Sequence, residues 1–579
     1  MTVPLLAADA QVSALAQKQI VSIQNAKKTF TAAERKLPSN LVFAGRQARS
    51  EKVGIDTKLV NKGRFDISSK ARVIVKGNIT PALLRQITGS SGNVISVSKS
   101  NDSILAKIPV AALKNIAANA DVQSVSEDFG LTTNVGALTS QGYISHQANL
   151  VINNLGYNGA GVKVGVLSDS ALPARVNALI TSGDLGANTV VLPGLAGPSN
   201  GTDEGAAMME IIHDIAPGAQ LYFATAYDTE QKFASNIGAL AAQGCSIIVD
   251  DVTYFAESAF QDGPIAQAVN TFAANGGLYF SSAGNSGNLT NGTSGTWEGD
   301  YLDGGATSGA LAGAGRYHNF GTSGSPSNYD TITATTGYIF LKWSDPAGAS
   351  SNDYDLYILN SAGTNVVEAS TSFQTGTQDP VEAVNPSFPG ERIVVVKFAG
   401  AARALRVDTN RGGLALATAG ATHGHNGGQS TLTVAATYWN SARTGTKPFN
   451  GTNNPVETFS SDGPRKIFYN PNGTPITPNN FLFGTNGGLT LQKPDFTAAD
   501  GVSTKTPGFL PFFGTSAAAP HAAGIAALIK SANPSLTGPQ IKSILLNTAL
   551  NNGVPGPDRD GGAGVLVALP AVQAALTTP

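Results

Sequence analysis

The chain has 579 residues, of which 41% are hydrophobic and only 13% charged, with 66 glycines and a formal charge of −2. That length exceeds one compact core and predicts about two to four domains, and nothing in the near-zero charge points to a nucleic-acid or anionic-membrane partner. A single cysteine, Cys245, excludes intramolecular disulfides and cysteine metal centres, and its apolar setting reads as a buried structural thiol.

The N-terminus carries the apolar run Val3–Leu6 followed by Ala8-Asp9-Ala10, read as the tail of a truncated signal peptide. With the low charge, this predicts a secreted or periplasmic bacterial protein, and no stretch reaches the ~20 apolar residues of a membrane helix. Residues 1–71 are polar, with one predicted helix. From Arg72 to 135 the order is strand (Val73–Lys76), helix opening at Thr80-Pro81, strands Val94–Ser98 and Ile104–Ile108, helix from Pro109 through Ile116, and strand Val122–Ser126. A β-α-β-β-α-β order in so few residues predicts a small ferredoxin-like module.

Residues 136–300 alternate buried strands with amphipathic helices. The strands are Val162–Leu167, Gln220–Ala224, Ser246–Val249 and Leu278–Ser282. This is the pattern of a parallel sheet covered on both faces. Between 301 and 418 helical periodicity stops, and strands such as Thr335–Trp343, Tyr354–Leu359 and Arg392–Phe398 predict an inserted β-sandwich. The α/β texture resumes over 419–579 with Ser430–Ala436.

The chemistry is concentrated in four segments. Phe513-Gly-Thr-Ser-Ala-Ala-Ala-Pro-His-Ala-Ala523 sets Ser516 at the start of a helix whose free N–H groups face a developing oxyanion. Ser281-Ser-Ala-Gly-Asn-Ser-Gly287 follows a buried strand, and Ser168-Asp169-Ser170 ends another. Gly201-Thr-Asp-Glu-Gly205 opens a helix that runs to the turn Ala216-Pro-Gly-Ala219. Gly-Thr-Ser-x-Ala-x-Pro-His resembles the nucleophile motif of the subtilases, a family of serine peptidases.

That resemblance implies an α/β, subtilisin-like parallel sheet with helices on both faces. It implies that the module over 72–135 is a propeptide and the chain a zymogen. It further implies Ser516 as nucleophile, Asn285 as oxyanion donor and Asp169 as triad acid, with Gly284, Gly514 and Asp251 lining the substrate cleft. Subtilases open the second helix with a catalytic histidine, whereas here Glu204 stands at that position. This resembles the sedolisins, whose triad is Ser-Glu-Asp. Their second carboxylate falls on Met208 here, so Asp169 is expected to partner Glu204.

Other candidates read as structural: His213 near the helix end, Glu210 and Asp214 on the helix surface, and His521 within the nucleophile motif. The aspartates Asp250 and Asp251 either favour a basic or neutral substrate residue or cap a turn. His423 and His425 are too few for a metal site without nearby acids. No cofactor or catalytic metal is expected, with structural calcium at Asn352–Asp355 or Asp558–Asp560 as the only cation option. The expected partners are protein or peptide substrates and the chain's own propeptide. A binding or adhesion protein built on a catalytically lapsed fold is the competing class.

Overall fold

The computed structural model describes residues 29–37, 39–53, 70–98, 103–127, 139–307, 315–322, 324–371, 373–376, 379–441, 447–450, 454–552 and 556–579. The expected signal-peptide tail and most of the linker between 128 and 138 lie outside the described residues. The chain divides into two compact units, Met1–Val135 and Gly136–Pro579. Among the described residues no helix is long and apolar enough to cross a membrane.

In the first unit, helix α1 (Ser39–Ala48) precedes strand β1 (Lys70–Gly77), α2 (Pro81–Gly89), β2 (Asn93–Ser98), β3 (Ser103–Pro109), α3 (Leu113–Ala117) and β4 (Val122–Glu127). The sheet is antiparallel with order β2-β3-β1-β4. Thr80 caps α2 by accepting from the Leu83 N–H at 3.2 Å, with Pro81 in the first turn. The predicted helix after Pro109 is divided, a 3-10 turn over Val110–Ala112 leading into the short α3.

A leader separate from this module up to residue 71 is not what the packing gives. Phe30, Leu37, Leu41, Val42, Phe43 and Val53 are buried in the same core as the sheet residues Val73, Val75, Ile104 and Ile108. Within that extension, buried Glu34 accepts two 2.8 Å hydrogen bonds from Arg46, which hold its carboxyl down at about 2.

The second unit is built on a seven-stranded sheet. Its strands are β5 (Lys163–Ser168), β6 (Val190–Val191), β7 (Gln220–Thr225), β8 (Ile247–Asp250), β9 (Leu278–Ser282), β10 (Leu432–Tyr438) and β11 (Phe496–Asp500). They lie in the order β11-β10-β9-β8-β5-β7-β6, every pair parallel. Helices α4 (Pro173–Ser182), α5 (Glu204–Ile215), α6 (Glu230–Ala242), α7 (Pro264–Ala274) and α8 (Thr515–Ala532) cover it.

Helices α5 and α8 are buried almost throughout, α8 as expected of an apolar helix rich in alanine. Gly524 makes their approach possible, because a Cβ there would stand 2.8 Å from the Ile215 Cβ.

The insert opens earlier than residue 301. Strand Thr296–Asp300 pairs with Ala404–Asp408, which pairs in turn with Ile339–Trp343 and then Val381–Val384. A second sheet, which includes Asp353–Leu359 and Arg392–Ala399, shares its core with the first through Trp297, Leu341, Trp343, Leu356, Val395 and Leu405. Fully buried Arg406 binds Asp408 and Glu298 and also donates to the carbonyls of Gly420 (2.5 Å) and Ala421 (3.1 Å), which join the insert to the parallel-sheet scaffold.

Candidate active site

Parallel strands deliver their following loops to one edge of the sheet. Asp169 leaves β5, Asp251 leaves β8, and Gly284 and Asn285 leave β9, while Glu204 and Ser516 sit in the first turns of α5 and α8. The Ser516 hydroxyl and the Asp251 carboxyl both come close enough to the Glu204 carboxyl to draw its pKa down. Burial raises the pKa of Glu204, aided by the charge of Asp169 and opposed by these two neighbours. Asp251 is driven up further, by burial and then by Glu204.

Asp251 Oδ1 is shut off from solvent without any N–H or hydroxyl donor among the described residues. Two carboxyl groups held this close repel each other as anions, and that repulsion adds to burial in raising Asp251.

This arrangement differs from the expected pairing of Glu204 with Asp169. Asp169 accepts from the Thr202 N–H (2.5 Å) and hydroxyl (2.8 Å), the Ser170 hydroxyl (3.1 Å) and the Glu204 backbone N–H (3.2 Å). It therefore caps α5, fixing the backbone from which Glu204 projects. Both of its carboxyl oxygens are thus occupied by donors of Ser170, Thr202 and Glu204. Asp251 likewise departs from the expected cleft-lining role, because its carboxyl is buried beside Glu204. No periodicity in the sequence distinguishes these two aspartates, since both follow parallel strands toward the same edge.

Opposite the carboxyl pair, the Asn285 carbonyl oxygen accepts from the Thr515 N–H (3.1 Å) and hydroxyl (2.9 Å), which turns its NH2 group outward. A Cβ built on Gly514 would meet Asn285 Nδ2 at 3.2 Å and Ser516 N at 3.7 Å, so two donors converge on the space this glycine leaves open. Gly514 (φ +110°) and Gly284 (φ +97°) both adopt backbone conformations that favour glycine. The Gly284 N–H donates to the Thr515 hydroxyl at 3.2 Å. Asp500, at the end of β11, accepts from the Gly514 N–H at 2.9 Å and fixes the nucleophile turn. Sequence reasoning missed it, although its place at the end of a parallel strand was a usable signal. Two N–H donors beside a hydroxyl that neighbours a carboxyl group form the equipment for acyl transfer.

The other candidates fall elsewhere. His213 packs near Gly186 and Asp184, with its Nδ1 buried and without a hydrogen-bond partner among the described residues. Glu210 is buried rather than on the helix surface, accepting from the N–H groups of Lys505 (2.6 Å) and Thr506 (3.0 Å) and from the Thr506 hydroxyl (2.6 Å). Asp214 accepts from the Ser140 N–H at 2.7 Å. His521 is fully buried between the Ala517 carbonyl (2.7 Å) and the Ser140 hydroxyl (2.9 Å).

His425 lies between Glu257 (2.6 Å) and Asp250 (3.2 Å). Burial alone would depress its pKa, but the two carboxylates outweigh it and hold the imidazole at about 10. As a paired imidazolium it has no lone pair for a metal. At the two expected calcium motifs, Asp558 Oδ1 is taken by the N–H groups of Asp560 (2.9 Å) and Gly561 (2.7 Å), and Asn352 is bound to Asp345 (2.7 Å). Among the described residues, no three His, Cys, Asp or Glu side chains gather as metal ligands.

The sequence was compared with known proteins. Over 68 residues it is 46% identical to alkaline elastase YaB of Bacillus sp. (strain YaB), which covers 11% of this chain and 17% of that protein. The structure superposes on the CspB protease of Clostridium perfringens with a TM-score of 0.46 at 14% identity, covering 75% of this chain and 97% of that one. Residues 194–564 match the model of the subtilase family, peptidase S8, a span of well over half the chain that takes in Glu204, Asp251, Asn285 and Ser516. The chain belongs to the subtilase family.

Proposed function

We propose that the chain is a serine endopeptidase of secreted type, made as a zymogen, in which Ser516, Glu204 and Asp251 form a Ser-Glu-Asp triad. The observation that carries the reading is the convergence of the Ser516 hydroxyl and buried Asp251 on the Glu204 carboxyl. In acylation the Ser516 oxygen attacks the peptide carbonyl, and its proton passes to the Glu204 carboxylate. Asn285 Nδ2 and the Ser516 N–H bind the oxyanion that forms, and Glu204 then gives the proton to the leaving amine. Water repeats the sequence on the acyl-Ser516 ester.

An imidazole base gains a positive charge as it accepts the serine proton, and an aspartate stabilises that charge. Glu204 instead becomes neutral, so its neighbour must not be a second free anion. A protonated Asp251 donating to Glu204 meets that condition, and Asp169 keeps the role of capping α5. The first unit is the propeptide, and the sandwich is an accessory domain. Secretion is supported by the low charged fraction and by the run ending at Ala10.

The test is labelling of purified protein with a serine-directed phosphonate across pH. Ser516 is expected to be labelled in the wild type, with the labelling abolished in Ser516→Ala and strongly reduced in Glu204→Gln. Labelling that survives unchanged in Glu204→Gln would refute the triad.

A further inference from the structure

The turn Thr409–Gly412 leaves the inserted sandwich and lies against the oxyanion segment. Thr409 donates to the Gly295 carbonyl through its N–H (3.0 Å) and its hydroxyl (2.7 Å), and the Gly295 N–H donates to the Ser286 carbonyl at 3.0 Å. Ser286 adjoins Asn285, so two hydrogen-bonded steps join the turn to the oxyanion donor. The Gly412 N–H closes the turn on the Thr409 carbonyl at 3.3 Å.

Both central residues have positive φ, Asn410 at 47° and Arg411 at 69°. Asparagine is usual in such a turn, but the second position ordinarily takes glycine, and a long side chain there is an outlier. Strain of this kind persists where the side chain has a use. Arg411 is exposed and makes no hydrogen bond or ion pair among the described residues. Its guanidinium nonetheless lies close enough to Glu204 for its charge to draw that carboxyl's pKa down.

The neighbouring charges of the site are the carboxyl groups Asp169, Glu204, Asp251 and Asp250, the last neutralised by His425. An unpaired, flexible cation beside that edge is a ready-made partner for an anion on whatever enters the cleft.

We infer that Arg411 is a specificity-determining residue, pairing with a carboxylate of the bound peptide and so directing cleavage to sites flanked by acidic residues. The inference rests on the peptidase reading and adds to it a substrate class and a role for the insert. The carboxylate has two sources, an Asp or Glu side chain or the free C-terminus of the peptide.

Both are separated by one experiment on the full chain. A peptide library, half with free and half with amidated C-termini, is digested by wild type, Arg411→Gln, Arg411→Glu and Arg411→Gly, and kcat/KM is ranked within each enzyme. Wild type is expected to favour Asp or Glu over Ala at one position relative to the cut by roughly 5–10-fold in both halves. That ratio should fall as salt rises. It should collapse toward unity in Arg411→Gln and invert in favour of Lys in Arg411→Glu.

Arg411→Gly should lose the ratio while keeping or raising Tm, because glycine fits the left-handed turn. A preference confined to free C-termini identifies the terminal carboxylate as the partner. An acid preference equal in wild type and Arg411→Gln, or none in wild type, overturns the inference. Failure of wild type to cleave any peptide overturns the peptidase reading beneath it.

Discussion

A carboxylate beside a second carboxyl group behaves unlike an imidazole, and the pH profile should record the difference. Burial raises Glu204 above its ordinary 4.5, so its basic form appears only at higher pH and the rising limb of kcat/KM should lie above that value. Asp251 opposes the rise. Asp251→Ala should therefore move the limb to still higher pH, while Asp251→Asn, which retains a donor, should leave it nearly in place. Glu204→Gln should lose about 10²–10⁴-fold in kcat/KM with the fold intact, and His213→Ala should stay within a few-fold of wild type. A limb that follows His213 would point to an imidazole base.

Counting back from Ala216-Pro-Gly-Ala219 led to Glu204 because helical rise is fixed. Choosing between Asp169 and Asp251 required knowing which carboxyl meets backbone N–H groups and which meets another acid, and strand ends do not encode that. Glu210 supplies a stability prediction. Burial raises its pKa from 4.5 to about 7, so the folded chain holds a proton that the unfolded chain releases above about 4.5. Its contribution is fullest below that pH and falls by about 3 kcal/mol as pH rises to 7. Urea unfolding of Glu210→Gln should lack this slope, though at lower overall stability, since the new amide NH2 faces the Lys505 N–H.

At the scale of elements, the contact of α5 with α8 sets the distance between base and nucleophile. Gly524→Ala drives a methyl group against Ile215, and overpacking of this kind costs about 1–3 kcal/mol. Because the two helices carry Glu204 and Ser516, turnover should fall more than Tm indicates, read by thermal melts beside kcat/KM. The parallel strands were legible as short apolar runs separated by helical periodicity. The edges of the sandwich were less so: Thr296–Asp300 holds two charged residues and two polar or small ones, and it reads as a strand only when paired with Ala404–Asp408. The extension over residues 29–53 was likewise hidden, its apolar residues being spread through a polar segment.

For the molecule as a whole, the insert is a spliced domain with clasped ends. The Ser294 hydroxyl donates to the Thr418 carbonyl at 2.7 Å and the Thr418 N–H to the Thr296 carbonyl at 2.8 Å. A deletion of 305–415 would strand Thr296–Asp300 without its partner, whereas removal of 296–417 with a two-glycine bridge joins neighbouring points. The shortened protein should be soluble and cooperatively folded, yet weakened by about 1–3 kcal/mol for each of the Gly420 and Ala421 carbonyls that lose Arg406. Aggregation on expression would show that the scaffold needs the insert to fold. Self-processing between Asp128 and Ser140 is the matching prediction for the zymogen. N-termini read by mass spectrometry should differ between wild type and Ser516→Ala, and identical processing would assign the cut to another protease.

Splitting the catalytic unit around the sandwich also orders events in time. Asp169, Glu204, Asp251 and Asn285 all leave the ribosome before the sandwich is complete, and the nucleophile turn is made last, with Thr515 following Asn285 by 230 residues. At ~5–20 residues per second, translation runs for roughly 10–50 s in which, on the proposed mechanism, the acid, the base and half the oxyanion hole exist without a nucleophile. The growing chain, at its most exposed, is spared from its own chemistry by the order of its codons.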